Sequence, residues 1–177
     1  VAIGLFALTA LKPFLENFIP ALNSVPFAAG VAGLAIGLMI VPIIASISDD
    51  AMRSVPQGLR EASFGLGATK SKTATRVIVP AAMSGIVASI VLAGSRAIGE
   101  TMIVLLAAGN TPNMDFSFSS SVQTMTTFIA TTGTGDIATG TITYKTIFAV
   151  GALLFVMTLI LNAISIRLVR KYREVYE

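Results

Sequence analysis

Two stretches of this chain, Ala28–Ser48 and Thr146–Ile166, contain no charged residue. A helix that crosses a bilayer needs about 20 mostly apolar residues. With no water in the hydrocarbon, such a stretch must satisfy its backbone polar groups internally, which commits it to helix. A third stretch, Ala81–Ala108, is equally apolar apart from Arg96 and Glu100. Val1–Leu11 is apolar but too short to cross, and reads as the end of a span whose beginning is missing. The expected fold is an all-α transmembrane bundle of about three full spans plus one truncated span. Composition agrees: 12% of residues are charged, against about 25% in soluble domains.

Several function classes drop out. The chain has no Cys and no His, which removes disulfides, thiol nucleophiles and Cys/His metal sites. No nucleophile has a base beside it, and no patch of basic and aromatic residues suits nucleic acid. The start at Val1, inside an apolar run with no basic segment before it, does not read as a signal peptide. It reads as a piece of a longer chain.

Lys and Arg give the orientation. The connection 49–80 holds Arg53, Arg60, Lys70, Lys72 and Arg76, and the tail holds Arg167, Arg170, Lys171 and Arg173. Nine of the twelve basic residues therefore face one compartment if the spans alternate, and that side is expected to be cytoplasmic. The loop 109–140 has no basic residue, is rich in Ser, Thr and Gly, and reads as an outside loop with one short helix near Val122–Ala130. Asp49-Asp50 reads as the N-cap of a helix entering the connection rather than as a metal-ligand pair. Gly33 and Gly37 form a GxxxG beside Ala28, Gly30 and Ala32. This is either a close helix contact or the ordinary abundance of Gly in such helices. Asn162 reads as an interhelical hydrogen-bonding residue, and Met39, Met102 and Met157 as packing.

The segment Glu61–Pro80 is patterned where a plain loop would suffice. Pro56 suits a helix start, with Ser54 available as cap. Leu59, Ala62, Ser63, Leu66 and Gly67 recur at helical spacing, and Gly65 and Gly67 weaken or end that helix. A second helix is expected from Ser71, with Pro80 opening the next span. A solvated loop carrying positive-inside charges is the plain alternative.

Spacing extends this into a resemblance. Import permeases of ATP-binding-cassette (ABC) transporters carry EAA, three residues, G, nine residues, I, one residue, LP. Here Glu61-Ala62-Ser63, Gly67, Val77 and Val79-Pro80 stand at those intervals, with Ser63, Val77 and Val79 as conservative departures. The resemblance implies the type I, MetI-like permease fold and a coupling helix that fits a groove on a cytoplasmic ATPase dimer. Leu59, Glu61, Ala62, Ser63, Leu66, Gly67 and Ala68 are the expected contacts. The chain itself lacks a phosphate-cradling GxxxxGK[ST] loop, because no Gly-Lys pair occurs in it. ATP and Mg are therefore expected on the partner, with no cofactor on this chain.

Arg96 and Glu100 are four residues apart and are expected to share one helix face, which also carries Gly85, Ser89 and Ala93. A charge at the bilayer centre costs about 2.5–3.5 kcal/mol on insertion scales, so the pair should face protein or water. It reads either as a structural ion pair or as an oxyanion path, with Arg96 binding and Glu100 holding it in place. The run Ser95–Met102 with Ala108-Gly109-Asn110 resembles the permeases of the phosphate-uptake ABC importer, PstC type rather than its PstA partner. The resemblance covers essentially the whole chain, with family members having about six spans. It implies that Arg96 and Glu100 line the phosphate path, with a PstA-like second permease and an extracytoplasmic phosphate-binding protein as further partners. The rival readings are the same machine with another cargo (sulfate, molybdate or an organic solute) and, in a different class, a passive channel or membrane scaffold.

Overall fold

The computed structural model describes residues 1–22, 25–114 and 117–171, with the backbone alone at 21 and 168–171. Arg173 of the basic tail and Asp115 of the long loop lie outside the described residues. Among the described residues every regular element is helical, as the apolar runs require.

The chain opens with Ala2–Phe6 (α1), a π-helical turn Ala7–Leu11, and Lys12–Glu16 (α2). Lys12 pairs with Glu16 one turn on. The π turn has a local cause. Pro13 offers no N–H, and its ring would strike the carbonyl of Thr9 in a regular helix, so the ladder widens just before it. Ala29–Arg53 (α3) and Ile142–Lys171 (α10) are long and apolar enough to cross a membrane. Between them lie Gln57–Gly65 (α4), Lys70–Thr73 (α5), Val79–Ala81 (α6), Met83–Ile98 (α7), Met102–Ala107 (α8) and Met125–Gly133 (α9).

The third expected span is not one helix. A second π turn, Ala74–Ile78, joins α5 to α6, again just ahead of a proline, Pro80. The run Lys70–Ala81 then meets α7 at a 67° bend centred on Ala82. α7 has 16 residues, about 24 Å at 1.5 Å per residue, short of the roughly 30 Å hydrocarbon core. It ends at Ile98, and α8 begins only at Met102. Among the described residues there are thus two helices of spanning length, and a third span only if the bent pair Lys70–Ala81 and α7 is counted as one.

Two compact units divide the chain: Val1–Met39 with Arg96–Leu159, and Ile40–Ser95 with Ile160–Glu177. In the first, Ala7, Leu22, Ala28, Val31, Ala32, Ala35, Ile103, Val104, Ala107 and Ala108 form the buried core. Small residues dominate it because the backbones nearly touch. A Cβ on Gly4 would stand 2.9 Å from Leu106 Cδ1, and one on Gly30 would enter the Phe118 ring at 2.2 Å. The first N–H groups of α3, which have no intrahelical partner, bond loop carbonyls instead: Ala29 N–H to Ser120 O at 2.9 Å and Gly30 N–H to Phe118 O at 2.9 Å.

In the second unit, α7 packs on the C-terminal half of α3. A Cβ on Gly85 would come within 2.4 Å of Ala51 Cβ, and the Ser48 and Ser89 hydroxyls are hydrogen-bonded at 2.9 Å. Ser89 and Ala93 are buried. The Gly85–Ser89–Ala93 face is therefore a helix–helix contact, where the sequence suggests a pathway lining. Ser95 Oγ donates to Asn162 Oδ1 at 3.0 Å, the interhelical bond expected of Asn162. Gly33 and Gly37 meet nothing within 4 Å, so the GxxxG is no contact between described residues. Asp49 and Asp50 lie inside α3 rather than capping a new helix, and Asp49 accepts from Arg53 Nε at 2.8 Å.

Candidate functional site

The segment from Gln57 to Thr73 has the expected helix–glycine–helix form. α4 starts after Pro56, which occupies the N-cap position, while Ser54 turns away to donate to Ala51 O at 2.8 Å. The helix ends at Gly65 with Leu66 as its C-cap, and Gly67 follows with φ +78°, the left-handed geometry that favours glycine after a helix C-terminus. Thr69 caps α5 by accepting from Lys72 N–H at 3.4 Å.

The inner side of α4 is held by polar bonds. Arg60 Nη2 donates to Met52 O at 2.7 Å. The hydroxyls of Ser63 and Thr73 meet at 2.9 Å, both residues buried. Val55, just ahead of α4, is also buried. This divides the seven expected contact residues. Ser63 faces inward and ties α4 to α5. Leu59 and Ala68 are half-buried. Glu61, Ala62, Leu66 and Gly67 are exposed, Leu66 at 90%. Sequence reasoning missed Phe64, which is exposed next to them. Its signal was present, the one aromatic in α4. Phe64 and Glu61 also line a cleft of about 550 Å³ with Arg53, Val55, Gln57 and Arg60.

Arg96 and Glu100 do not form the pair that one continuous helix would give. Arg96 lies in the last turn of α7, exposed, and among the described residues no carboxylate stands within ion-pair distance of it. Glu100 lies beyond the helix end, in the break Gly99–Thr101. Its Oε1 accepts from Ile103 N–H at 3.3 Å. A carboxylate at this position satisfies one of the N–H groups that open α8. The backbone carbonyl of Glu100 accepts from the Thr126 hydroxyl at 3.0 Å. Glu100 also borders a cavity of about 440 Å³ that Gln123, Thr124 and Thr126 line with apolar residues including Ile98, Val104 and Met157.

Residues 1–174 match the family described as the binding-protein-dependent transport system inner membrane component. The chain belongs to that family. It is 37% identical over 158 residues to the probable ABC transporter permease protein YqgH of Bacillus subtilis, covering 89% of this chain and 50% of that protein. It is 34% identical over 165 residues to the phosphate transport system permease protein PstC of Haemophilus influenzae (92% and 50%). With PstC of Mesorhizobium japonicum it shares 32% over 182 residues (92% and 54%). The chain spans about half the length of these curated relatives. No solved structure matches it.

In this inner membrane component the two candidate sites differ in chemistry. The α4 surface offers an apolar patch, Phe64 and Leu66, beside the carboxylate of Glu61. That combination suits insertion into a groove on another protein. Arg96 offers a planar fork able to give an oxyanion two parallel hydrogen bonds.

Proposed function

We propose that this chain is the PstC-type permease portion that forms part of the path for ATP-driven import of inorganic phosphate. The observation that carries this reading is the family match over residues 1–174, joined by PstC relatives at 30–34% identity and by the Glu61–Pro80 spacing. Arg96 binds phosphate in transit. Glu100, a like charge close by in sequence, keeps binding weak enough for release, since a conducting path must let go of what it binds. Glu61, Ala62, Leu66 and Gly67 meet a cytoplasmic ATPase dimer directly, with Leu59 and Ala68 at the edge of that contact, and Ser63 sets the helix that carries them. ATP and Mg bind the ATPase. Closure of its dimer draws the docking segments together and switches access. A PstA-like second permease completes the path, and an extracytoplasmic phosphate-binding protein delivers the anion.

Orientation and cargo have separate tests. The chain has no Cys, so single cysteines report cleanly. Lys70→Cys should react with a membrane-impermeant thiol reagent only from the cytoplasmic side, and Asp115→Cys only from the outside. Labelling of both from one side contradicts the topology. Uptake of labelled phosphate by the complete transporter should be competed by arsenate and not by sulfate or molybdate. Competition by sulfate would favour the other-oxyanion reading.

A further inference from the structure

The break between α7 and α8 leaves backbone groups that neither helix can satisfy. Thr101 is the N-cap of α8, and its carbonyl takes the first intrahelical bond, from Leu105 N–H at 2.9 Å. The Glu100 carbonyl precedes the cap and lies outside that ladder. In an apolar stretch an unsatisfied carbonyl is expensive, and irregular backbone persists only where protein or a wet cavity satisfies it. Here the partner is the hydroxyl of Thr126 in the first turn of α9, 8% exposed.

The hydroxyl protons around Thr126 can be assigned by counting donors. Thr126 has one proton, which goes to the Glu100 carbonyl. The 3.0 Å contact between the Thr124 and Thr126 hydroxyls must then be donated by Thr124. Thr124 Oγ1 in turn accepts from Thr127 N–H at 3.3 Å, while Thr127 Oγ1 accepts from Thr124 N–H at 2.9 Å, the reciprocal pair of a capping box. Thr127 donates its own proton to the Thr124 carbonyl at 2.9 Å. Thr124's one proton has Thr127 Oγ1 in reach at 3.2 Å as well as Thr126 Oγ1 at 3.0 Å, and the Thr126 contact is the shorter. The cap of α9 thus holds Thr124 beside Thr126, and Thr126 donates to the Glu100 carbonyl.

We infer that Thr126 is a positioning residue for Glu100, and that α9 is the element that sets where this carboxylate stands. The functional half of the inference rests on the phosphate-path reading, and the structural half does not. Gly99 opens the break with no side chain of its own, and Glu100 is held at two points, its carbonyl by Thr126 and its carboxylate by Ile103 N–H. Loss of the first hold frees the peptide that carries the second.

The test uses the complete transporter and the near-isosteric pair Thr126→Val and Thr126→Ser. In a Glu100→Cys background the carbonyl contact is retained, so the rate of thiol modification at position 100 reports the hold without involving any cargo. Thr126→Val should change that rate about fivefold or more, with Thr126→Ser within twofold of the parent. In the chain with native Glu100, Thr126→Val should lower phosphate uptake about tenfold, the effect of leaving one buried group unpaired. The amount of complex in the membrane should not change, and Thr126→Ser should restore uptake. An unchanged modification rate overturns the inference, as does full uptake in Thr126→Val. A changed rate in a transporter that moves no phosphate leaves the positioning role standing and overturns the phosphate reading.

Discussion

Arg96→Gln should abolish phosphate uptake, by about a hundredfold or more, while the transporter still assembles. The size follows from losing two charge-assisted hydrogen bonds, each worth about 1.5–3 kcal/mol. Assembly should survive for three reasons. Arg96 has no carboxylate within ion-pair distance among the described residues, so no partner is stranded. It is exposed in the last turn of α7, where Gln has nearly the same helix propensity. Removing its charge also lowers the insertion cost of the segment. Were Arg96 a structural cation paired with Glu100, its loss would instead leave a carboxylate unpaired and lower the amount of complex in the membrane. Uptake measured alongside a blot of the membrane fraction separates the outcomes, and normal uptake would sink the pathway role.

Gly67→Asp should separate the permease from its ATPase, lowering copurified ATPase and phosphate-coupled ATP hydrolysis severalfold or more. Gly67 has φ +78°, and a Cβ there would meet nothing within 4 Å. Within the chain the substitution therefore costs only left-handed strain, about 1–2 kcal/mol for an ordinary residue and less for Asp or Asn, which tolerate that region. A larger defect must come from outside the chain, where a new side chain and charge stand on the surface beside exposed Leu66. Gly67→Asn supplies the control, because it has similar bulk and left-handed tolerance without the charge. If Gly67→Asp keeps a full complement of ATPase and normal coupling, α4 is not the docking element.

Local signals were the most legible. Pro56 and Gly67 punctuate the segment from Gln57 to Thr73 through backbone preferences that need no tertiary context, and α4 falls between them. α5 begins at Lys70, one residue before the Ser71 start the sequence suggests. Hydropathy alone found α3 and α10, because length and absence of charge suffice. α9, at Met125–Gly133, overlaps the short helix anticipated near Val122–Ala130 and starts three residues later than it. The break at Gly99–Thr101 was not legible. Hydropathy reads straight through it, no proline marks it, and the i,i+4 spacing of Arg96 and Glu100 mimics a surface ion pair. What stabilises the break is Thr126, 26 residues away in sequence, and no local pattern announces such a partner. The inward turn of Ser63 was hidden for the same reason, since its partner Thr73 lies across the glycine junction. Phe64 was passed over because the apolar positions around it, Leu59, Ala62 and Leu66, already made a helical stripe.

The most direct measurement of the central claim is uptake of labelled phosphate into liposomes holding the complete transporter, with the phosphate-binding protein on the uptake side and ATP on the ATPase side. The account predicts accumulation that requires both ATP and the binding protein and disappears with Arg96→Gln. Phosphate flux that runs down its gradient without ATP, or ATP-driven accumulation of sulfate in place of phosphate, would contradict it.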